Sequence, residues 1–129
     1  MEKVMAENKD VKFIFKPLAF VDPENSHYQA QAGLAVFKQG KFTEFYKAVM
    51  AAEGRMSKDA IDGIARGLNI DFDKYKADVE SDDVNNDLSE IADLSRNIQV
   101  NGVPTVLING KHIQTMSADD LQEAINAAK

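Results

Sequence analysis

Val106, Leu107 and Ile108 put three apolar side chains in succession between Thr105 and Asn109. Successive side chains of a strand point to opposite faces. A strand apolar on both faces belongs inside a covered sheet, and it needs a hydrogen-bonding neighbour along each edge. One neighbour is local. Asn109-Gly110 is a strong hairpin signal, and residues 111–115 return as the second strand. The other neighbour must come from elsewhere. Residues 11–16 (VKFIFK) read as a strand, with Val11, Phe13 and Phe15 on one side and Lys12, Ile14 and Lys16 on the other. Three strands are few beneath so many helices, and the place beside 105–109 stays vacant unless 11–16 fills it.

Everything else reads as helix. Residues 1–9 resemble the tail of one. Pro17 and Pro23 bracket a loop, and a helix starts near Glu24 with Ala30, Leu34 and Phe37 at helical spacing. Gly40 is placed to cap its end. Phe42, Phe45, Tyr46 and Val49 follow at i, i+3, i+4, i+7, and Gly54 closes that segment. Ser57 caps a helix with Ile61, Ile64, Ala65 and Leu68 inward, ending at Gly67. Asp71 opens a short helix bearing Phe72, Tyr75 and Val79. Ser81 opens a long one whose Val84, Leu88, Ile91, Leu94 and Ile98 form a stripe. Gly102 and Pro104 break the chain before the hairpin. Ser117 caps the last helix, with Ala118, Leu121, Ile125 and Ala128 inward and Asp120 completing a weak capping box. The order is helix, strand, five helices, hairpin, helix, within a single domain spanning 1–129.

Composition narrows the function. The 129 residues carry a net charge of −6 with no basic block, which argues against nucleic acid, whose phosphates require clustered Lys and Arg. No apolar run is long enough to span a bilayer, and the first ten residues lack the apolar core of a signal peptide. The chain has no cysteine, so it supplies no disulfide, no thiolate nucleophile and no cysteine-ligated metal.

The succession of segments 11–50 (VKFIFKPLAFVDPENSHYQAQAGLAVFKQGKFTEFYKAVM), 68–81 (LNIDFDKYKADVES) and 101–111 (NGVPTVLINGK) resembles the DsbA-like thioredoxin-fold proteins. The resemblance covers essentially the whole chain. It implies an α/β fold, a thioredoxin-like domain lacking its N-terminal unit, with a helical insert over about 24–99 between the first remaining strand and the C-terminal hairpin. The family's leading segment is a strand followed by Cys-x-x-Cys at a helix start. That strand is the central one, between 11–16 and 105–109. The resemblance also implies that Pro104 is cis, and that Val103, Pro104 and Thr105 form the substrate-binding platform, with the Val103 backbone pairing to an extended peptide beside the reactive sulfur. The segment 40–48 (GKFTEFYKA) would pack over the catalytic helix.

Thiol–disulfide exchange needs an attacking thiolate and a resolving thiol, so the isolated chain is expected to be redox-inactive. The parent activity would be disulfide formation or isomerisation in exported proteins, in a periplasmic or other extracytoplasmic setting, acting on unfolded or extended peptides. A second reading, of a different class, is a non-catalytic binding module. Strands with unmet edges invite pairing with another chain, which predicts a homo-oligomer. A glutathione-dependent enzyme is a weaker third reading, because the usual serine or cysteine at the helix start is also missing. No cofactor is implied. The acidic span 71–93 fails as a calcium loop, since Tyr75 and Lys76 stand where Asp or Asn and Gly are required. It reads instead as a solvated helix face. His27 and His112 lack metal-ligand spacing and read as surface residues.

Overall fold

The computed structural model describes residues 1–19, 24–114 and 117–129. The elements run α1 (Glu2–Glu7), α2 (Asn25–Lys38), α3 (Phe42–Ala51), α4 (Lys58–Arg66), α5 (Phe72–Val79), α6 (Asp82–Asn97), β1 (Val106–Ile108), β2 (Lys111–Ile113) and α7 (Ala118–Ala128). The chain divides into two compact units. One is Lys16–Gln99; the other joins Met1–Phe15 to Val100–Lys129.

Among the described residues, every regular element of the unit Lys16–Gln99 is a helix. Its helices start where the sequence places caps. Ser57 Oγ accepts from Ala60 N at 3.2 Å, Asp71 Oδ1 from Lys74 N at 3.0 Å, and Ser81 Oγ from Val84 N at 3.2 Å. Each cap satisfies a backbone donor that the helix cannot. Helix α2 is the hub, packed against α3, α4, α5 and α6. Its buried face is Tyr28, Ala32, Ala35 and Val36, and the core is completed by Phe45, Val49, Ile61, Ala65, Tyr75 and Val79.

Four expected inward positions differ: Phe37, Leu94, Ile98 and, at the end of α7, Ala128 are exposed. Phe37 is exposed, with its ring edge-on to Phe42. A helix surrounded by several others must present small residues for close approach, and α2 buries its alanines instead. The α6 stripe is inward only in part. Val84 and Ile91 are buried, whereas Leu94 and Ile98 near the helix end are exposed. At the ends of α2 and α4 the expected glycines also diverge. Gly40 takes a left-handed φ of 73°, but Gly67 remains right-handed and Asn69, two residues on, adopts φ 57°.

A part-buried polar cluster borders this helical core. Asp62 on α4 accepts from the Tyr28 hydroxyl at 2.7 Å, the Tyr75 hydroxyl at 2.8 Å and Lys76 Nζ at 2.9 Å. Lys76 Nζ also donates to Tyr28 Oη at 3.0 Å. Burial alone would push the Asp62 carboxyl up, but the three donors together hold it below its ordinary value. Burial, then the adjacent Asp62, push the Tyr75 hydroxyl far up. The Tyr28 and Asp62 hydrogen bonds raise Lys76 against the opposing effect of burial. The cluster ties α2, α4 and α5 through one carboxylate.

The second unit has a thinner core. Val4, Leu121 and Ile125 are buried, with Val11, Phe13, Val106, Ile108, Ile113 and Ala118 packed against them. Ser117 caps α7, its Oγ accepting from Asp120 N at 3.1 Å. Asn8 is buried and satisfied, its amide donating to Val4 O at 2.8 Å and exchanging hydrogen bonds with the Gln122 amide at 2.6 and 3.1 Å.

The sheet differs from expectation. Among the described residues it has two strands only, β1 and β2, antiparallel with Val106 opposite Ile113, Leu107 opposite His112 and Ile108 opposite Lys111. Residues 11–16 are not a strand. Their alternation survives, with Val11, Phe13 and Phe15 half-buried and Lys12, Ile14 and Lys16 exposed. A ladder also requires a facing backbone, and no strand among the described residues pairs with the segment. The strand expected over 111–115 closes at Ile113. Thr115 and Pro23 lie outside the described residues.

Candidate functional site

The loop between α6 and β1 is held by a local hydrogen bond. Thr105 Oγ1 donates to Gly102 O at 2.6 Å, closing a turn over Val103 and Pro104. The Val103–Pro104 peptide bond is cis. The Val103 side chain is 46% exposed and Pro104 is also exposed, while Thr105 is half-buried. Val103 and Pro104 therefore present two apolar side chains to solvent just before β1.

Beyond the loop, β1 and β2 sort their side chains by face. Val106, Ile108 and Ile113 face Val4, Leu121 and Ile125. Leu107 and its partner His112 occupy the other face, and Leu107 is 44% exposed. The strand that is apolar on both faces is covered on one face and open on the other within this unit. Asn109 and Gly110 both take left-handed φ, 49° and 80°, as a type I′ hairpin turn requires. The turn is anchored by Asn109 Nδ2, which donates to Ala128 O at 3.2 Å. The end of α7 is tied back by Lys129 Nζ, which donates to Asp10 at 3.2 Å and holds that exposed carboxyl below its usual range.

Other sequence candidates separate from this loop. His27 lies on α2 in the helical unit and His112 on β2; both are exposed. Among the described residues no group of three His, Asp or Glu side chains could hold a metal. The acidic span is spent on helix ends and ion pairs. Asp71 caps α5, Asp93 pairs with Arg96, and Asp78 lies 2.5 Å from Lys74 and 3.6 Å from Lys38. The hydrogen bond from Lys74 outweighs desolvation and keeps Asp78 ionised to lower pH. The polar hub at Asp62 was not evident from periodicity. Its signal was two tyrosines on apolar helix faces, each needing a partner for its hydroxyl once buried.

The helices and hairpin define a thioredoxin-like architecture. A thioredoxin-like oxidoreductase from Silicibacter pomeroyi DSS-3 superposes with a TM-score of 0.88 at 23% identity, over 98% of this chain and 73% of that one. Proteus mirabilis ScsC in a compact conformation gives 0.84 at 25% identity, over 98% and 70%. The DSBA-like thioredoxin domain profile matches residues 1–126, and the chain belongs to that family. A probable disulfide bond formation protein D from Bacillus cereus is 27% identical over 115 residues, 80% of this chain and 51% of that protein. The chain thus spans about half the length of that curated relative. Among the described residues no helix is long and apolar enough to cross a membrane.

Proposed function

We propose that residues 1–129 are a portion of a DsbA-like thiol–disulfide oxidoreductase that forms or isomerises disulfides in exported proteins, and that they supply its peptide platform without its reacting sulfur. The observation that carries this reading is a family match across residues 1–126 in a chain with no cysteine. Exchange proceeds through a thiolate and a mixed disulfide, and neither can form on these residues. The setting is periplasmic or otherwise extracytoplasmic, as the family resemblance implies.

Val103, Pro104 and Thr105 bind the substrate. An extended peptide satisfies its own N–H and C=O groups on the Val103 backbone, in the manner of strand addition, while the exposed Val103 side chain selects neighbouring apolar residues. The Thr105 hydroxyl fixes the loop through Gly102 O. A blocked extended peptide with serine in place of cysteine tests this by NMR titration. Shifts are expected to centre on the amides of residues 102–106, and Val103→Asp should weaken binding about tenfold, equivalent to about 1.4 kcal/mol. Shifts confined to Lys16–Gln99 would refute the platform.

A second reading is favoured by one observation. Among the described residues β1 pairs only with β2, and Leu107 is open on the outer face. A strand with an unused edge is a template for another chain, so the alternative is a non-catalytic module that oligomerises through that edge. A concentration-dependent dimer in sedimentation, abolished by Leu107→Lys, supports it. A strict monomer at high concentration excludes it.

A further inference from the structure

The unit that carries the platform contains two Asn-Gly steps, Asn101-Gly102 and Asn109-Gly110, and they are in opposite states. At Asn109 the residue is fixed in a left-handed conformation, its amide donates to Ala128 O, and the turn is clamped by the Ile108–Lys111 pair. Gly110 is required there by its φ of 80°. Asn101 is exposed and its side chain makes no hydrogen bond among the described residues. The Gly102 N–H likewise donates to none of them. Nothing in the backbone demands glycine at 102. Its φ is not left-handed, and an added Cβ would meet no atom within 4 Å. What glycine does supply is an unhindered backbone nitrogen beside a free carboxamide.

We infer that Asn101 is a site of spontaneous deamidation, a covalent modification placed two residues before Val103. The Gly102 nitrogen, once deprotonated by hydroxide, attacks Asn101 Cγ. The Cγ–Nδ2 bond breaks, ammonia leaves and a succinimide closes. Water then opens the ring. Cleavage between the Gly102 nitrogen and the Asn101 main-chain carbonyl carbon gives isoaspartate; cleavage between that nitrogen and Cγ gives aspartate. One water is consumed, one ammonia released and one carboxylate formed, with no change of oxidation state. The product adds a negative charge to a chain of net charge −6. In the isoaspartate form an extra methylene enters the main chain beside Gly102, whose carbonyl receives the Thr105 hydroxyl. The modification therefore ages the loop that precedes β1, whatever that loop binds.

The test is incubation of the full chain in mildly alkaline buffer at body temperature, with peptide mapping by electron-transfer fragmentation to separate isoaspartate from aspartate. Asn101 should convert about tenfold faster than Asn109 in the folded chain, a barrier difference of about 1.4 kcal/mol, and the two rates should converge in concentrated urea. Gly102→Ala, which the open space at that position accommodates, should slow conversion at Asn101 about tenfold and leave Asn109 unchanged. Equal rates at the two sites in the folded chain, faster conversion at Asn109, or an Asn101 rate unaffected by Gly102→Ala would each overturn the assignment.

Discussion

The two units of this chain solve the same problem with unequal means. Lys16–Gln99 buries ten residues in one continuous core around α2 and locks three of its helices through the Asp62 carboxylate. Among the described residues, the unit formed by Met1–Phe15 and Val100–Lys129 buries only Val4, Leu121 and Ile125 of its apolar side chains. Surface-to-volume scaling makes a small unit harder to stabilise than a large one. Stability is therefore expected to concentrate in the helical unit. The candidate platform lies in the part that is thinly packed and has unused strand edge, which is where binding loops are usually drawn from.

Substitutions in each unit can break or sharpen that contrast. Tyr75 is fully buried and donates to Asp62, so Tyr75→Ala should cost about 3–5 kcal/mol in urea unfolding, the range for removing a buried aromatic. Leu121→Ala in the thinner core should cost less, about 2–3 kcal/mol, because a loosely packed site collapses more readily into the space left. Equal losses at the two positions would erase the distinction between the units.

Acid provides a gentler probe. The folded Asp62 carboxyl lies below its ordinary value of 3.8, so the folded state binds that proton less readily than the unfolded state. Its contribution is fully present above 3.8 and is lost as pH falls through the depressed folded value. Asp62→Asn should cost about 1 kcal/mol at neutral pH through weakened charge-assisted bonds. It should also flatten the acid limb of stability against pH. An unchanged acid limb would show that the cluster does not carry the effect. The smallest change is expected at Leu107. Leu107→Thr should alter stability by no more than about 0.5 kcal/mol, measured by thermal unfolding, since the residue is 44% exposed and lies outside the buried cluster of its unit.

Helices were legible from the sequence because their signals are local. Ser57, Asp71, Ser81 and Ser117 each cap the helix they were expected to open, and Asn109-Gly110 turns the hairpin. Residues 11–16 were misread for a physical reason. Alternation reports which side chains are covered, and Val11, Phe13 and Phe15 are the half-buried ones; a strand also needs a facing backbone, on which a single segment carries no information. Phe37 shares the helical spacing of Ala30 and Leu34 yet is exposed, because spacing marks a face but not its edges, and the crowded helix α2 buries its alanines. The Asp62 hub joins residues far apart in sequence, so no periodicity could reveal it. Val103, Pro104 and Thr105 were picked out by a family resemblance, and spacing alone would not have distinguished them from an ordinary loop before a strand.

The most direct test of the central claim is turbidimetric reduction of insulin by dithiothreitol in the presence of the 129-residue chain. The account predicts a rate equal to buffer at every chain concentration, because no thiolate is available to form a mixed disulfide. A rate that rises with the amount of chain added would contradict it.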